Sequence, residues 1–228
     1  MRLIVLIGFS RGLGKALFKE LLPKLQSGKT ELLALGRNTE DFHEIESVSF
    51  YEIDLLNIEC GTDVSTCIPK NIEQLDVIIN ASIIEPINTV GNLDNSLVEN
   101  AAKVNLISPI KIVNELVALQ RDLKFCMSVF NISSGASTNP IEGWAMYCST
   151  KAAFKMFLDV LDKETGKLLM VKHIDPGVID TDMQKLIRSK SIAEMKNVEQ
   201  FRNFELTNKL KSPLEAASEI LSLMDFDK

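Results

Sequence analysis

A tyrosine and a lysine stand four residues apart in GWAMYCSTKAAF, residues 143–154. This stretch has no Pro, no Gly after its first residue, and several Ala, so it predicts a helix. Residues four apart on a helix share a face, which places the Tyr147 phenol beside the Lys151 ammonium. A free tyrosine has a pKa of about 10, and a nearby ammonium lowers it. The pair could exchange protons with a substrate, although the same spacing also fits a chance surface pair.

A glycine-rich stretch has the composition of a phosphate-binding turn. In GFSRGLG the glycines fall at positions 8, 12 and 14, between an apolar run and a helical pattern. Glycine lets the backbone turn sharply and approach a pyrophosphate, and the N-terminus of the following helix favours an anion. A tight turn without a ligand is the alternative, but the strand-to-helix context favours a dinucleotide site.

Two arginines predict which dinucleotide binds. The second predicted strand ends in LGRN, at the point where an acidic residue usually meets a free ribose 2′-hydroxyl. Gly36 and Arg37 stand there instead, and Arg11 lies in the glycine stretch. Two guanidinium groups can bind a 2′-phosphate through charge-assisted hydrogen bonds. We therefore expect NADP(H) rather than NAD(H), the alternative being two surface arginines without a ligand.

These residues belong to a regular alternation of predicted strands and helices. Apolar or alternating stretches predict strands at 3–7, 31–36, 49–55, 75–82, 126–134 and 168–177, and helical patterns occupy 14–25, about 95–121, and 147–164. Such alternation indicates a parallel sheet covered on both faces. No repeat or Pro/Gly-rich linker divides the chain, so we expect an α/β fold with one Rossmann-like doubly wound sheet over residues 1–228.

Composition limits the function classes. The chain has 228 residues, enough for one sizeable core, and a net charge of −6, which argues against a general nucleic-acid binder. No apolar run is long enough to span a membrane, and the first apolar run fits a buried strand better than a signal sequence. We expect a cytoplasmic protein that acts on a small molecule, without nucleic-acid or membrane partners.

The cysteines and histidines do not predict a metal site. Cys60, Cys67, Cys126 and Cys148 form no CxxC motif and have no neighbouring His, so neither metal ligation nor a disulfide framework is expected. His43 and His173 have no partner motif and are expected to be structural.

Taken in chain order, these motifs resemble those of the short-chain dehydrogenase/reductase family, over residues 1 to about 181. The resemblance rests on GFSRGLG, Asp54-Leu55, the NAS of residues 80–82, Asn105 in KVNLISP, Ser134 in NISSG, the YCSTK motif, and PGVIDT at 176–181. Each motif is common by chance, but their combination in order is specific. The resemblance implies an NADP-dependent oxidoreductase that forms a dimer through the helices near 95–121 and 149–163.

The resemblance implies a catalytic tetrad of Asn105, Ser134, Tyr147 and Lys151. Tyr147 would donate a proton, and Ser134 would hold the substrate carbonyl. Lys151 would lower the tyrosine pKa and hold the nicotinamide ribose. Asn105 would hold a water that links Lys151 to solvent. The cofactor would supply the hydride, so that NADPH reduces a carbonyl to an alcohol.

The same resemblance implies a set of cofactor contacts. They are Gly8, Ser10, Arg11, Gly12, Leu13, Gly14, Arg37, Asp54, Leu55, Asn80, Ala81, Ser82, Tyr147, Lys151, Pro176, Gly177, Val178 and Thr181. Three residues depart from the family pattern, Ile7, Phe9 and Ser82. We expect these departures to adjust cofactor affinity rather than abolish catalysis.

A narrower resemblance concerns the substrate. ISSGASTNPIEGWAMYCSTKAA and DPGVIDTDMQKLIR are similar to the sepiapterin reductase and benzil reductase branch, which shares GW before the tyrosine and DTxMQ after the PG. This implies a ketone or vicinal dicarbonyl substrate bound by Ser134, Tyr147 and Trp144, under a lid at about 182–210. For Trp144, a position in the buried core is an alternative of equal weight to a position in the substrate pocket.

Two other functions share part of this pattern. A catalytically silent NADP(H)-binding sensor or signalling protein would have the same fold. A sugar-nucleotide epimerase shares YxxxK but needs a larger C-terminal domain. The complete tetrad favours the enzyme.

The C-terminal residues predict a shortened sheet. The last predicted helix, residues 212–225, is followed only by FDK, which is too short for a strand of about five to six residues. We therefore expect the last C-terminal strand of the family to be missing. Asp225 and Asp227 lie too early in the chain to take the place of the acidic residue that anchors the pterin in sepiapterin reductases. We therefore expect the protein to reduce a diketone better than sepiapterin.

Overall fold

The fold is seen in a computed structural model that describes residues 1–37, 39, 44–57 and 63–224. His43, Cys60, Asp225 and Asp227 lie outside the described residues.

One parallel sheet of six strands forms the centre of the molecule. The strands are β1 (Arg2–Ile7), β2 (Thr30–Gly36), β3 (Val48–Glu52), β4 (Gln74–Ile79), β5 (Cys126–Ile132) and β6 (Leu169–Ile174), in the spatial order β3-β2-β1-β4-β5-β6. The strand order reverses between β1 and β4, and ligands of such sheets bind beyond the carboxyl ends of the strands at that point. The predicted single-domain doubly wound sheet is confirmed.

Helices cover both faces of the sheet. They are α1 (Gly12–Leu21), α2 (Asn95–Ala102), α3 (Ser108–Leu123), α4 (Ala145–Glu164), α5 (Asp182–Arg188), α6 (Val198–Leu206) and α7 (Pro213–Ser222). Apolar residues of α3 and α4 share one buried cluster with the sheet, and those of α1 and α7 share another. Strands covered in this way are apolar on both sides, which is why β1, β2 and β4 have nearly continuous runs of buried residues.

The structure corrects several predicted boundaries. Four strands, β3 to β6, end two or three residues earlier than predicted, because the chain leaves the sheet there to line the cleft described below. The long helix predicted near 95–121 is interrupted by a π-helical turn, Lys103–Ile107, between α2 and α3. The first helix begins at Gly12 rather than Gly14 and gives way to a 3₁₀ turn around Pro23.

The last described element is α7, and within the described residues no strand follows β6. In the same part of the chain, no helix is both long and apolar enough to cross a membrane.

Candidate active site

Tyr147 and Lys151 lie one turn apart near the start of α4, as predicted. Each side chain is 7% exposed. Lys151 Nζ donates a hydrogen bond of 2.9 Å to the carbonyl oxygen of Ile132, the last residue of β5. The same nitrogen lies 5.6 Å from the centroid of the Tyr147 ring. The lysine thus joins the beginning of α4 to the end of β5.

Two serine hydroxyls surround the tyrosine hydroxyl. Ser134 follows β5 and begins the 3₁₀ turn Gly135–Ser137, where its Oγ accepts a hydrogen bond of 3.2 Å from the Ala136 N–H. Ser82 follows β4, and its Oγ is buried without a hydrogen bond of ordinary geometry. Both hydroxyls act to lower the pKa of Tyr147, which places them beside its phenol oxygen. The structure therefore brings Ser134 to the tyrosine, as predicted, and adds Ser82.

The ionisation of the pair differs from the expectation. Burial raises the pKa of Tyr147 to about 12, against the effect of the two serines and with a further contribution from the Asp175 carboxylate. Burial also lowers the pKa of Lys151 to about 8. The predicted lowering of the tyrosine pKa by Lys151 is wrong for this structure, because burial disfavours the charged phenolate and raises the pKa instead. The phenol is held in its protonated form.

Asn105 lies in the π-helical turn and is 4% exposed. Its Oδ1 accepts from the Ile83 N–H at 2.8 Å, and its Nδ2 donates to the Ile83 carbonyl at 2.7 Å. Nδ2 also lies 3.3 Å from Thr150 Oγ1, on α4 beside Lys151. The side chain therefore braces the segment after β4 against α4. Its predicted role in holding a water stays a prediction.

The glycine turn, residues 8–14, packs closely against the end of β4. A Cβ on Gly8 would lie 2.7 Å from that of Ala81, and one on Gly14 would lie 1.8 Å from the Gly8 carbonyl oxygen. Asn80 Nδ2 donates to the same oxygen at 2.8 Å. No side chain caps the N-terminus of α1, so the first N–H groups of that helix are open to an anion.

Phe9 does not face the cofactor side of this turn. Its ring is fully buried and packs at 5.5 Å from the rings of both Phe18 and Phe50. A Cβ on Gly36 would lie 2.9 Å from the Phe9 ring. The bulky residue therefore fills the core beneath the turn, and its predicted effect on cofactor affinity stays a prediction.

The charged residues predicted at the adenosine end share one cleft with the glycine turn. Arg11 and Arg37 are both exposed and line it. Asp54 and Leu55 line it as well, and the Asp54 carboxylate accepts hydrogen bonds from Leu56 N at 3.1 Å and Asn57 Nδ2 at 2.8 Å. Since the acid is engaged within its own turn, the two guanidinium groups are the groups best placed for an anionic ligand.

The loop after β6 closes the other side of the cleft. Asp175 Oδ1 accepts a hydrogen bond of 3.0 Å from Gly177 N, which holds the turn that follows the strand. Thr181 reaches the glycine turn, its Cγ2 lying 3.5 Å from the position of a Cβ on Gly12. Pro176, Gly177, Val178 and Thr181 all line the cleft, as predicted.

The predicted lid, about residues 182–210, contains α5 and α6 and packs over Tyr147. Trp144 is 5% exposed, with its ring 5.7 Å from that of Tyr147, edge-on, and 5.1 Å from that of Phe201 on α6. Arg202 ties the lid together by donating to the carbonyl oxygens of Arg188 at 3.1 Å and Lys190 at 2.7 Å. Trp144 is both a buried residue and a wall of the cleft, and its predicted contact with the substrate stays a prediction.

The cleft as a whole has a volume of about 780 Å³. Every predicted cofactor residue except Gly14 lines the cleft. Every residue of the predicted tetrad except Asn105 lines it as well. No cluster of metal-ligating side chains occurs within the described residues, where Cys67, Cys126 and Cys148 form no disulfide bond.

Sequence reasoning missed several residues of the cleft. Asp175 directly follows β6, and the position after a parallel strand is a signal that could have found it. Glu85 lies farther along the segment that follows β4. Phe201 carries no such signal, because α6 reaches the cleft only through tertiary packing.

Comparisons with known proteins agree with this geometry. The family described as short chain dehydrogenase matches residues 2–192. Benzil reductase ((S)-benzoin forming) of Bacillus subtilis (strain 168) is 31% identical over 99% of this chain and 94% of its own length. Sepiapterin reductase of Bos taurus is 27% identical over 99% of this chain and 90% of its own. The crystal structure of KRED1-Pglu enzyme is similar with a TM-score of 0.83 and 29% identity, covering 98% of this chain and 94% of that one.

Proposed function

Because the chain belongs to the short-chain dehydrogenase family, we propose that it is an NADPH-dependent carbonyl reductase that acts on a small ketone or vicinal dicarbonyl compound. The observation that carries the proposal is the meeting of Ser134, Tyr147 and Lys151 in one cleft with the glycine turn. These polar groups come from two elements and are largely buried beside an open cleft. Such an arrangement suits proton transfer to a substrate oxygen.

The proton comes from Tyr147 in this proposal. Its raised pKa keeps the phenol protonated at neutral pH, which is the state that can donate to a carbonyl oxygen. The Ser134 hydroxyl can donate to the same oxygen and stabilise the negative charge that develops on it. Lys151 lies close enough to stabilise the phenolate left after the transfer and to take part in its reprotonation.

The residues of the cleft fit a nicotinamide dinucleotide. The uncapped N-terminus of α1 and the positive φ of Gly12, +53°, support a pyrophosphate at the glycine turn. Arg11 and Arg37 would hold a 2′-phosphate, and Lys151 would hold the nicotinamide ribose. When bound, the reduced cofactor supplies the hydride. The remaining contacts fall to Gly8, Ser10, Leu13, Asp54, Leu55, Asn80, Ala81, Ser82, Pro176, Gly177, Val178 and Thr181.

The substrate class follows from the walls of the cleft and from the relatives. Ile84, Trp144 and Phe201 provide a mainly apolar surface next to Tyr147, suited to a flat carbonyl compound. Two relatives are a benzil reductase and a sepiapterin reductase, and we extend the first of these activities to this chain. A diketone needs only Ser134, Tyr147 and an apolar wall.

Consumption of NADPH with benzil, 1-phenyl-1,2-propanedione and sepiapterin, at equal concentrations, tests the proposal. We expect turnover with both diketones and a higher kcat/KM for benzil than for sepiapterin. If NADPH binds tightly and none of these compounds is reduced, the silent NADP(H)-binding protein becomes the better description. A preference for sepiapterin would show that a pterin is held by groups other than those considered.

The proposal extends to assembly and location. Exposed apolar side chains lie on α4, with Met156 63% and Val160 46% exposed, and on the π-helical turn, with Ile107 43% exposed. The exposed apolar side chains support a homodimer that forms through α4 and the π-helical turn. If sedimentation at micromolar concentration shows only a 25.4 kDa species, the proposed dimer is contradicted. The lack of a disulfide bond among Cys67, Cys126 and Cys148 supports a reducing, cytoplasmic location.

A further inference from the structure

The charges that line the cleft are divided between its two ends. Arg11 and Arg37 lie at the end formed by β1 and β2. Among the described residues that line this end, Asp54 is the one acid, and it is bonded within its own turn. Glu85 and Asp175 lie at the end formed by β4 and β6, together with the lid. One end of the cleft is therefore basic and the other acidic.

Asp175 is the acid nearest the reacting groups. It follows β6 directly, and its Oδ2 lies 3.4 Å from the position that a Cβ on Gly135 would occupy, next to Ser134. Its Oδ1 accepts from Gly177 N, and no described cation forms an ion pair with it. The carboxylate is exposed to the cleft and acts electrostatically on the Tyr147 phenol.

Glu85 adds a second carboxylate on the same side. It stands between Ile84, which packs in the cluster around Tyr147, and Pro86. It makes no hydrogen bond or ion pair with any described residue, and it is partly exposed. A third acid, Asp182, is compensated by Lys185, whose Nζ lies 3.1 Å from its carboxylate. Lys151 is the cation nearest the reacting groups, and it is buried beneath the tyrosine ring and bonded to Ile132.

We propose that Asp175 and Glu85 make the substrate end of the cleft anionic, so that the enzyme accepts uncharged carbonyl compounds and excludes those with a carboxylate beside the carbonyl. The inference rests on the proposed carbonyl reduction. A 2-oxo acid whose carbonyl oxygen meets Tyr147 and Ser134 would bring its carboxylate into the same small space as Asp175. Two like charges repel strongly where the surrounding protein limits screening by water.

Benzoylformate and its methyl ester test this inference, since they share one carbon skeleton and differ in charge. In the wild-type enzyme we expect kcat/KM with NADPH to favour the ester strongly. In Asp175→Asn this preference should fall at least tenfold, which corresponds to about 1.4 kcal/mol. The asparagine Oδ1 can still accept from Gly177 N, so the loop keeps its hydrogen bond. Glu85→Gln should reduce the preference by a smaller factor. The control is Asp122→Asn, which replaces an exposed carboxylate on α3 outside the cleft and should leave the preference unchanged.

Calorimetric binding of both compounds in the presence of NADP⁺ measures the same discrimination without turnover, and Asp175→Asn should strengthen binding of the anion alone. If the wild type reduces the ester and the preference is the same in all four proteins, this inference is overturned and the proposed function stands. If neither compound binds or is reduced while the diketones above also fail, the proposed function is overturned and this inference with it.

Discussion

Lys151 Nζ donates its hydrogen bond, 2.9 Å long, to the carbonyl oxygen of Ile132. That carbonyl is two residues before Ser134, so one contact sets the distance between the start of α4 and the turn that carries the serine. The lysine is thus part of the frame of the site as well as a charge beside the tyrosine. Substitution of Lys151 should accordingly disturb more than the proton transfer.

The separate roles of the tyrosine and the lysine can be distinguished by mutation. Tyr147→Phe should lower kcat by at least about a hundredfold, because it removes the general acid, while NADPH affinity stays within about twofold. Lys151→Ala should lower both kcat and NADPH affinity. Turnover and cofactor fluorescence titration measure the two effects. Tyr51→Phe, on β3 outside the cleft, is the matched control, and near-normal turnover of Tyr147→Phe would refute the mechanism.

The burial of Lys151 predicts a pH-dependent stability. Its pKa is lowered by burial from an ordinary 10.5 to about 8, so the charged lysine penalises the folded state below about pH 8. Between these values the unfolded chain binds a proton that the folded chain does not, and stability must rise with pH. We expect the melting temperature of the wild type, relative to Lys151→Met, to increase between pH 8 and 10. One kcal/mol corresponds to about 2–4 °C for a chain of this size.

That comparison cancels the titration of all other groups, since both proteins contain them. A difference in melting temperature that stays constant over this pH range would show that the ammonium is not destabilised by burial.

The choice of cofactor should depend on Arg37. NADPH is expected to bind more tightly than NADH. Arg37→Asp should narrow this difference in affinity by about ten- to a hundredfold, because the substitution removes one charge-assisted contact and adds a repulsion. Titration of both cofactors by fluorescence measures it. Arg121→Asp, at the exposed end of α3, should change neither affinity. Equal affinities in the wild type would contradict the assignment of the 2′-phosphate to Arg11 and Arg37.

The docking of the lid should depend on Gly143. This residue has a φ of +83°, and a Cβ there would lie 2.8 Å from the Glu194 carbonyl oxygen and 3.2 Å from Met195 Cβ. Gly143→Ala should raise KM for the carbonyl substrate and expose the lid to limited proteolysis, because a left-handed backbone costs about 1–3 kcal/mol for a residue with a side chain. Gly166→Ala, where a Cβ would meet nothing within 4 Å, is the control. Unchanged KM and cleavage pattern would show that the lid does not depend on this contact.

Local patterns in the sequence determined much of this molecule. Apolar runs separated by helical patterns predicted the six strands in order, since strands buried on both faces have few polar residues. The spacing of residues within a single helix also predicted their positions correctly. Tyr147 and Lys151 lie on the same helix, where residues four apart are about one turn from each other. The glycine turn was predictable because Gly8, Gly12 and Gly14 all fall within the short stretch of residues 8–14.

Tertiary structure alone decided the features that depend on residues far apart in the chain. The pKa of Tyr147 is set by burial under Trp144 and the lid, and desolvation cannot be read from a neighbour at a helical spacing. The sequence places Phe9 in the glycine turn, but only the packed structure shows that its ring lies in the core against Phe18 and Phe50. The acidic end of the cleft exists only because β4 and β6, on either side of β5, bring the segments that follow them to the same edge of the sheet. Chemistry that needs groups from several strands becomes visible only when those strands are placed side by side.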